Sequence, residues 1–175
     1  DLMSESQHLV AADTLAAVNI PSVCRFLDVG GGKGTFVSEL KKIYPKVDAA
    51  VFDLPGSHSE NSGHRCIIGS FKEDELPAGY DIISLVRILY DHRDETIRDL
   101  LGKTYSALDK GGRLIVSEPM LGADRPTLWG DVYFAMYTLA MSTGKTRSPD
   151  HVSGFITDAG FSNVTIHKSA RPFIS

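Results

Sequence analysis

The sequence predicts an α/β fold: a doubly wound, mostly parallel sheet with helices on both faces. Short apolar segments alternate with helical patterns along most of the chain, which is typical of such sheets. One of these segments ends in a glycine-rich turn, a common feature of nucleotide-binding folds. Two further apolar segments close the chain with only a short turn between them, so at least one of them is antiparallel to its neighbour. We therefore expect a seven-stranded sheet with an antiparallel C-terminal strand pair.

The chain has the size and composition of a single globular domain. Its 175 residues suffice for one full core, and its net charge of −4 without a long basic run argues against nucleic acid as a partner. No apolar stretch approaches the ~20 residues of a membrane-spanning helix, so no transmembrane segment is expected. Cys24 and Cys66 lack the spacing of a metal site or a redox pair, and the histidines show no ligand spacing, so no metal is expected.

The N-terminal half is expected to begin with a helix over residues 1–18 that breaks near Asp13. A first strand follows at Arg25–Val29, where the chain is apolar apart from one acid. The next helix, Thr35–Tyr44, has apolar residues at helical spacing and ends before Pro45, because proline disfavours helix in the residue ahead of it. Further strands are expected at Ala49–Phe52, Arg65–Ile68 and Tyr80–Val86.

The C-terminal half is expected to begin with a helix at Asp94–Leu108, whose apolar residues repeat every three or four positions. Gly111 and Gly112 are expected to end this helix. Ser148 and Pro149 suit the cap and the first turn of a later helix. The remaining elements expected are a strand at Arg113–Ser117, helices at Leu128–Met141 and Ser148–Ala159, and strands at Val164–Lys168 and Pro172–Ile174.

The clearest binding signal is the stretch FLDVGGGKGTF, residues 26–36. Its four glycines within five residues turn the strand sharply, because glycine reaches positive φ without steric cost and lets a ligand approach the backbone. The N–H groups that begin the next helix then face an anion or a polar ligand. Asp53, which ends the second strand, can accept hydrogen bonds from both hydroxyls of a ribose, although it can also be a simple turn residue. Together these features predict a nucleotide-like ligand.

Two cofactors compete for this turn, NAD and S-adenosylmethionine. NAD sites favour G-x-G-x-x-G, whereas the glycines here follow G-x-G-x-G at Gly30, Gly32 and Gly34. Asp28 precedes the turn, and its carboxylate can hold the ammonium of an amino-acid tail, directly or through water, but would repel a pyrophosphate. The pattern therefore favours S-adenosylmethionine. An NAD-dependent oxidoreductase stays open as an alternative, and so does a cofactor-binding domain without catalysis.

Several segments of the sequence resemble one enzyme family. LDVGGGKG, VFDLP and GGRLIVSEPML are similar to the class I S-adenosylmethionine-dependent O-methyltransferases, the group of the plant caffeate and animal hydroxyindole O-methyltransferases. LVRILYDHRDE and GDVYFAMYTLAMSTGKTRS resemble most the bacterial carotenoid members, which methylate the tertiary hydroxyl of hydroxyneurosporene or demethylspheroidene. The resemblance implies a Rossmann-like methyltransferase fold and a small apolar hydroxylated substrate. It also implies S-adenosylmethionine as cofactor, S-adenosylhomocysteine as product, and no metal.

The resemblance also implies how the chain fits into a larger protein. Family members carry an N-terminal helical domain that forms a dimer and closes the substrate pocket, and this sequence lacks such a domain. Residues 1–20 resemble the helix that links that domain to the catalytic half. We therefore expect a methyltransferase domain over residues 21–175 and a homodimer for the full-length protein. We expect a cytoplasmic protein at the periphery of the membrane that holds its apolar substrate.

Matched position by position, the resemblance implies a set of cofactor contacts. Family members usually carry an acid that touches the adenine amine at position 70, where this chain has Ser70, a weaker partner. The implied contacts are Asp28, Gly30 and Gly32 with the cofactor, Asp53 and Leu54 with its ribose, Ser70 and Phe71 with its adenine, and Arg87 with its methionine end.

The triplet Tyr90-Asp91-His92 stands where the plant-type members have their catalytic His-Asp-Trp. Tyrosine therefore occupies the position of the base, and His92 that of the tryptophan. A tertiary alcohol is too weak an acid to lose its proton before it attacks, so we expect deprotonation during or after methyl transfer. His92, Asp91 or Tyr90 would then accept the proton late, and His92 as the base is one hypothesis. Alternatively, His92 packs against the helix that begins near Asp94, and Tyr90 orients the hydroxyl or forms a pocket wall.

Two further predictions complete the site. Glu118 matches a family acid that flanks the catalytic histidine, and it can equally be an acid at a strand end before Pro119. The second flanking acid of the family corresponds to Thr146, so that partner is absent. The helix expected at 128–141 carries more apolar side chains than one buried face needs, which suits a polyene-like substrate, although such stripes are often core. The expected pocket residues are Trp129, Tyr133, Met136 and Tyr137.

Overall fold

The computed structural model describes residues 2–57, 63–121 and 130–167. The helices in these ranges are α1 Leu2–Ala17, α2 Thr35–Ile43, α3 Asp94–Ala107, α4 Gly130–Met141 and α5 Pro149–Asp158. The strands are β1 Arg25–Val29, β2 Asp48–Asp53, β3 Arg65–Ile68, β4 Tyr80–Val86 and β5 Leu108–Ser117. A 3-10 turn, Leu89–Asp91, follows β4.

The five described strands form one parallel sheet in the order β3-β2-β1-β4-β5. The central strand β1 pairs with β2 on one side and with β4 on the other, so that Asp28 lies between Val51 and Ser84. The direction in which the chain adds strands reverses at this point. Ligands of open α/β sheets bind beyond the carboxyl ends of the strands where the order reverses. The predicted α/β fold with a parallel sheet is confirmed, and its switch point lies at the glycine turn.

Helices cover both faces of the sheet, because side chains along each strand alternate between two apolar clusters. In β1, Leu27 belongs to one cluster and Phe26 to the other. The first cluster joins the sheet to α3 and α5, with Leu100 and Phe155 buried at the contact. The second joins the sheet to α1 and α2, where Leu40 is fully buried. The two clusters fix the sheet and therefore the strand ends that carry the site.

The first helix, α1, is continuous, so the predicted break near Asp13 is wrong. Ala11 and Leu15 lie one helical turn apart and are both buried in the cluster that includes α2. Thr14 shares a hydrogen bond of 2.7 Å with Ser117 at the end of β5. Tertiary packing of one face stabilises the helix through Asp13, which the sequence pattern alone does not show.

Strand β5 begins at Leu108, and Gly111 and Gly112 lie within it rather than at the end of α3, so this prediction is wrong. Leu108 already pairs with Tyr80 of β4, which ends the helix early. The register of the pair shifts between Tyr80 and Ile82, and Gly111 has a φ of 81° in the opposing stretch. Glycine tolerates this conformation, so the two glycines serve an irregular strand instead of a helix stop.

The predicted C-terminal strand pair is not seen in the part of the chain that the structure describes. Residues 164–167, where the sixth strand is expected, form no strand. Lys168 and the expected strand Pro172–Ile174 lie outside the described residues. All five strands that are described run parallel.

Candidate active site

A cavity of about 80 Å³ opens at the carboxyl end of β1, beside the glycine turn. It brings together four of the predicted cofactor residues, Asp28, Gly30, Gly32 and Arg87. Helices α1 and α2 and the end of β4 complete its wall. The lining residues are Gln7, Val10, Asp28, Gly30, Gly31, Gly32, Thr35, Phe36, Val86 and Arg87.

The backbone of the glycine turn approaches the Asp28 side chain closely. Gly30, Gly32 and Gly34 have φ values of 71°, 55° and 76°, in the left-handed region that glycine favours. At Gly31 any Cβ would collide with Oδ2 of Asp28. The glycines are therefore needed for two reasons, the turn itself and the space for the acid.

Asp28 lines this cavity, although only 1% of the surface of this residue is exposed to solvent. Its Oδ1 accepts a hydrogen bond of 2.6 Å from the Ser84 hydroxyl, whereas its Oδ2 is buried without a partner among the described residues. Burial raises the pKa of Asp28 to about 7, the Ser84 bond opposes that rise and nearby Asp53 adds to it. A buried carboxylate oxygen without a donor is costly unless a ligand supplies one. The ammonium of an amino-acid tail is such a donor, so the residues present fit S-adenosylmethionine.

Asp53 ends β2 and uses both carboxylate oxygens to hold the surrounding backbone. Its Oδ2 accepts the Gly32 N–H at 2.7 Å. Its Oδ1 accepts the Leu54 N–H at 2.6 Å and the Ser57 hydroxyl at 3.0 Å. Because each carboxylate oxygen has two lone pairs, Oδ2 keeps acceptor capacity for further donors such as a ribose hydroxyl. Asp53 and the glycine turn, predicted separately, thus lie in direct contact, with Leu54 exposed beside them.

Ser70 and Phe71, the predicted adenine wall, follow the end of β3. The Ser70 N–H donates to Oδ2 of Asp74 at 2.8 Å, which fixes a local turn. The Phe71 ring lies edge to face against the His92 ring, with the ring centroids 5.2 Å apart. Lys103 of α3 donates to the Phe71 carbonyl at 2.9 Å and holds this loop in place. Phe71 and His92 therefore form one surface, on the predicted adenine side of the site.

The surroundings of His92 favour a neutral imidazole. Burial lowers the pKa of His92, and the charges of Lys72 and Arg147 lower it further. Its ring contacts Phe71, on the predicted adenine side of the site. This position agrees better with a packing role than with that of a base beside α4, the helix predicted to bind the substrate.

Arg87 lies between β4 and the 3-10 turn and lines the cavity. Its backbone has a φ of 57°, in the left-handed region that non-glycine residues rarely adopt. Its guanidinium donates to the Ser6 hydroxyl of α1 at 3.2 Å. Such conformations persist where the surrounding structure imposes them, and they cluster at functional sites.

Tyr90 contacts α4, away from the Phe71 surface. Its ring centroid lies 6.1 Å from that of Phe134 and 5.9 Å from that of Tyr137. Burial raises the pKa of Tyr90 well above its usual range, and Asp91 and Tyr137 raise it further. Burial also raises the pKa of Asp91, opposed by a hydrogen bond from Tyr90, and the Asp91 Oδ1 is buried without a partner in the described part of the chain. Tyr90 is therefore held as a neutral phenol, and Asp91 is the better proton acceptor of the two.

Glu118 is 3% exposed and binds backbone rather than a side chain. Its carboxylate accepts the N–H groups of Ile88 and Leu89 at 2.7 Å each and that of Tyr90 at 3.3 Å. Burial raises the pKa of Glu118 to about 7 although these hydrogen bonds oppose the rise. Glu118 thus holds the backbone that carries the predicted catalytic triplet.

The predicted substrate residues separate along α4. Tyr137 is half-buried against Tyr90, whereas Met136 is 66% exposed. Tyr133 lies within α4 with a side chain outside the described set, and Trp129 lies outside the described residues altogether. Of the four predicted substrate residues, Tyr137 is the one that the described part of the chain shows in contact with Tyr90 of the predicted catalytic triplet.

Ser84, Gln7 and Arg147 are among the residues of the site that carry no prediction from the sequence. Ser84 is a polar residue inside the apolar strand β4, which is a usable signal for a buried hydrogen bond. Gln7 enters the cavity only because α1 packs over the glycine turn. Arg147 is 4% exposed and donates to the carbonyls of Leu89 and His92, and nothing in its polar sequence surroundings indicates burial.

Within the described part of the chain, no group of three or more His, Cys, Asp or Glu residues is placed to hold a metal ion. Cys24 is buried and Cys66 is half-buried. None of the described helices has the length and apolarity that crossing a membrane demands.

Residues 1–162 match the model of the O-methyltransferase domain family. The chain belongs to this family. The matched range contains α1, the glycine turn and α5, so the cavity between α1 and the turn is part of the O-methyltransferase domain. The resemblance inferred from the sequence motifs is confirmed.

The chain is also similar to curated O-methyltransferases of known name. It is 45% identical over 178 residues to the demethylspheroidene O-methyltransferase of Rhodobacter capsulatus, covering 99% of this chain and 45% of that protein. It is 42% identical over 184 residues to the demethylspheroidene O-methyltransferase of Cereibacter sphaeroides, covering 99% of this chain and 48% of that protein. The chain thus spans about half the length of the curated relatives it matches.

Solved structures share the fold. Human N-acetylserotonin methyltransferase, solved in complex with S-adenosylmethionine, matches with a TM-score of 0.84 and 29% identity. That match covers 95% of this chain and 50% of the human chain. TnmH matches with a TM-score of 0.85 and 25% identity over 98% of this chain and 54% of its own. The parallel sheet of this chain is therefore that of an α/β methyltransferase.

Proposed function

We propose that this chain is the catalytic part of an S-adenosylmethionine-dependent O-methyltransferase acting on a hydroxyl of an apolar small molecule. The observation that carries the proposal is Oδ2 of Asp28, a buried carboxylate oxygen that lacks a partner among the described residues and belongs to a residue that lines the cavity. Membership of the O-methyltransferase domain family supports the reaction. The S-adenosylmethionine complex of the human neighbour supports the cofactor.

Residues of the cavity and of the neighbouring strand ends divide the binding of S-adenosylmethionine between them. Asp28 accepts the ammonium of its amino-acid tail, and the Arg87 guanidinium suits the carboxylate of that tail. Asp53 accepts from the ribose hydroxyls, while the rings of Phe71 and His92 provide a surface for the adenine. When bound, the cofactor supplies a sulfonium methyl group that is open to attack by an oxygen nucleophile. The NAD-dependent alternative gains no support, since the named relatives are O-methyltransferases.

Asp91 and Tyr90 act on the substrate hydroxyl in this proposal. Tyr90 stays a neutral phenol and can orient that hydroxyl, because a phenol both donates and accepts a hydrogen bond. The hydroxyl keeps its proton until its oxygen attacks, and Asp91 then receives the proton on its carboxylate. His92 is a weaker candidate for the base, because its ring lies on Phe71. The rate of methyl transfer then depends more on how the substrate hydroxyl is positioned than on the basicity of the proton acceptor.

The proposed substrate is a hydroxylated carotenoid with a tertiary hydroxyl. The two bacterial relatives reported above are both demethylspheroidene O-methyltransferases. The aromatic face of α4 beside Tyr90 supports a long apolar substrate, because aromatic rings bury large apolar surfaces. The pocket residues proposed with Tyr90 are Trp129, Tyr133, Met136 and Tyr137.

The proposal extends to the whole protein. The relatives are about twice as long as this chain, which leaves room for a further domain. We propose an N-terminal dimerisation domain, a linking helix over residues 1–20 and a methyltransferase domain over 21–175. We place the homodimer in the cytoplasm, at the membrane that holds its substrate. Val132, Met136 and Leu139 are exposed apolar residues of α4 and support contact with a further domain. An antiparallel strand pair within residues 164–174 would complete a seven-stranded sheet.

Calorimetry with the full-length protein tests the cofactor. We expect S-adenosylmethionine and S-adenosylhomocysteine to bind, and NAD not to bind. Asp28→Asn should weaken both interactions, whereas Asp48→Asn, which changes an exposed acid at the far end of β2, should leave them unchanged. Binding of NAD without binding of S-adenosylmethionine would contradict the proposal. Binding of S-adenosylmethionine without methyl transfer to any hydroxyl would favour a non-catalytic domain.

A further inference from the structure

We infer that Arg147 is a positioning residue for Tyr90 and Asp91, and that it acts with Glu118 through the backbone of residues 88–92. This inference rests on the proposed function, in which Tyr90 and Asp91 meet the substrate hydroxyl. Neither Arg147 nor Glu118 needs to touch the substrate in this role.

Glu118 holds the beginning of this segment. Its carboxylate accepts the N–H groups of Ile88, Leu89 and Tyr90, three consecutive donors at the start of the 3-10 turn. Such N–H groups have no partner within a turn of this length, because the first donors of a helix point outward. The carboxylate therefore satisfies donors that would otherwise be buried and unpaired.

Arg147 holds the end of the same segment. Its guanidinium donates to the Leu89 carbonyl at 3.0 Å and to the His92 carbonyl at 2.8 Å. It also binds Oδ1 of Asp94, the first residue of α3, at 2.6 and 2.9 Å. One side chain thus connects both ends of the turn that carries Tyr90 and Asp91 to the next helix.

The two charges lie where the peptide dipoles of the turn favour them. A negative group stabilises the N–H end of a helical turn and a positive group its carbonyl end. Glu118 lies at the N–H end, Arg147 lies at the carbonyl end, and both line one small cavity of about 10 Å³. A turn this short has little stability of its own, so its position depends on these two side chains.

Arg147 also orders the stretch around Lys145, which packs on the 3-10 turn Leu89–Asp91. Its guanidinium donates to the carbonyl of Lys145 at 2.8 Å, and the Lys145 N–H donates to the Tyr90 carbonyl at the same distance of 2.8 Å. Gly144 lies so close to the Tyr90 carbonyl that any Cβ there would collide with it. Tyr90 is therefore held at its N–H by Glu118 and at its carbonyl by the stretch that Arg147 fixes.

Arg147→Ala in the full-length protein tests the inference. With S-adenosylmethionine and a hydroxylated carotenoid, we expect kcat to fall by roughly 100-fold, the cost of a small displacement of positioned groups. The Kd for S-adenosylmethionine should change much less than kcat, because Arg147 does not line the cavity beside the glycine turn and reaches the proposed adenine surface only through the backbone of His92. Guanidinium ion at concentrations far below denaturing should restore part of kcat. Arg147→Lys should recover less, because one ammonium cannot reproduce the planar fork of donors.

Arg98→Ala is the matched control. Arg98 of α3 also pairs with an acid, Asp158 at 3.0 Å, but its side chain is 54% exposed and does not contact the 88–92 segment through any described bond. We expect its kcat to equal that of the wild type. A kcat of Arg147→Ala close to the wild-type value would overturn the inference, and so would a folded Arg147→Ala protein that guanidinium fails to rescue.

Hydrogen exchange separates this inference from the proposed function. In Arg147→Ala, amide exchange should accelerate in the peptide covering residues 87–93 and stay unchanged in β1 and β2. Equal acceleration throughout the domain would mean a general role in folding and would overturn the inference. If the wild type methylates no hydroxylated carotenoid, the proposed substrate is wrong, while the exchange result still decides the role of Arg147.

Discussion

The Ser84 hydroxyl donates to Oδ1 of Asp28 at 2.6 Å, between the neighbouring strands β4 and β1. Both residues are buried, at the point where the strand order of the sheet reverses. Because Ser84 engages only Oδ1, the second oxygen of this cavity-lining residue is left without a partner among the described residues. Ser84 thus determines which oxygen of Asp28 is available to a ligand.

Ser84→Ala should weaken the binding of S-adenosylmethionine by about tenfold, since a hydrogen bond to a charged group contributes roughly 1.5–3 kcal/mol. Without the hydroxyl, the pKa of Asp28 should rise further, and less of the carboxylate is then ionised at neutral pH. Calorimetry at pH 7 measures this Kd. Ser106→Ala, which removes an exposed hydroxyl of α3, serves as the control. An unchanged Kd for Ser84→Ala would mean that Asp28 does not bind the cofactor.

Asp28→Asn should stabilise the ligand-free protein at pH 8 while weakening its binding of S-adenosylmethionine. The pKa of Asp28 rises from 3.8 to about 7 on folding, so the folded state holds this proton more tightly than the unfolded state. The stability that protonated Asp28 adds to the folded state is therefore fully present below 3.8, the usual pKa of this carboxyl. It is lost as the pH rises through about 7, the pKa of Asp28 in the folded state. At pH 8 the amide avoids this loss, which amounts to a few kcal/mol.

Denaturant unfolding across this pH range measures the effect. The unfolding free energy of the wild type should fall with increasing pH, and that of Asp28→Asn should fall less steeply. A residual slope is expected, because Glu118 also has a pKa raised to about 7. Parallel slopes for wild type and variant would show that Asp28 titrates normally in the fold.

Asp91→Asn and His92→Phe should affect different steps. We expect Asp91→Asn to lower kcat by about 100-fold, within the range for loss of a proton acceptor. His92→Phe keeps an aromatic ring against Phe71 and should alter the KM for S-adenosylmethionine more than kcat. Steady-state kinetics of both variants decides whether Asp91 or His92 accepts the proton. A large loss of kcat in His92→Phe with near-normal turnover in Asp91→Asn would make His92 the proton acceptor.

Tyr137→Lys should abolish binding of the apolar substrate while leaving cofactor binding intact. Tyr137 contacts Tyr90, and an ammonium there would have to be buried against aromatic rings, which is costly. Met136→Lys, at a 66% exposed position of the same helix, provides a comparison with a smaller expected effect. Substrate KM and calorimetry with S-adenosylmethionine measure the two properties separately. Equal loss of both in Tyr137→Lys would indicate misfolding.

The central strands β1 and β4 could be predicted from the sequence because their apolar segments are buried on both faces, and both have the predicted bounds. The edge strand β3 also has its predicted bounds, although its residues are only half-buried or exposed. The unbroken helix α1 and the early start of β5 could not be predicted, because the first depends on packing against α2 and the second on pairing of Leu108 with Tyr80. Both are decided by contacts between residues far apart in the chain.

The residues of the site also divide into those whose positions could be predicted from the sequence and those whose positions could not. Asp28 and the glycines adjoin one another in sequence, and the strand-end rule brings Asp53 to them, so their meeting could be predicted. The directions of Tyr90 and His92 could not, because a 3-10 turn sends one ring to α4 and the other to Phe71. The roles of Glu118 and Arg147 depend on backbone groups of that turn, which no sequence pattern shows.

Methyl transfer in the full-length protein tests the central claim most directly. S-adenosylmethionine with a labelled methyl group would be incubated with a carotenoid that carries a tertiary hydroxyl, and with the same carotenoid lacking it. The proposed function predicts a labelled methyl ether from the hydroxylated carotenoid only, together with an equal amount of S-adenosylhomocysteine. Absence of labelled product from a protein that binds both S-adenosylmethionine and the carotenoid would contradict it.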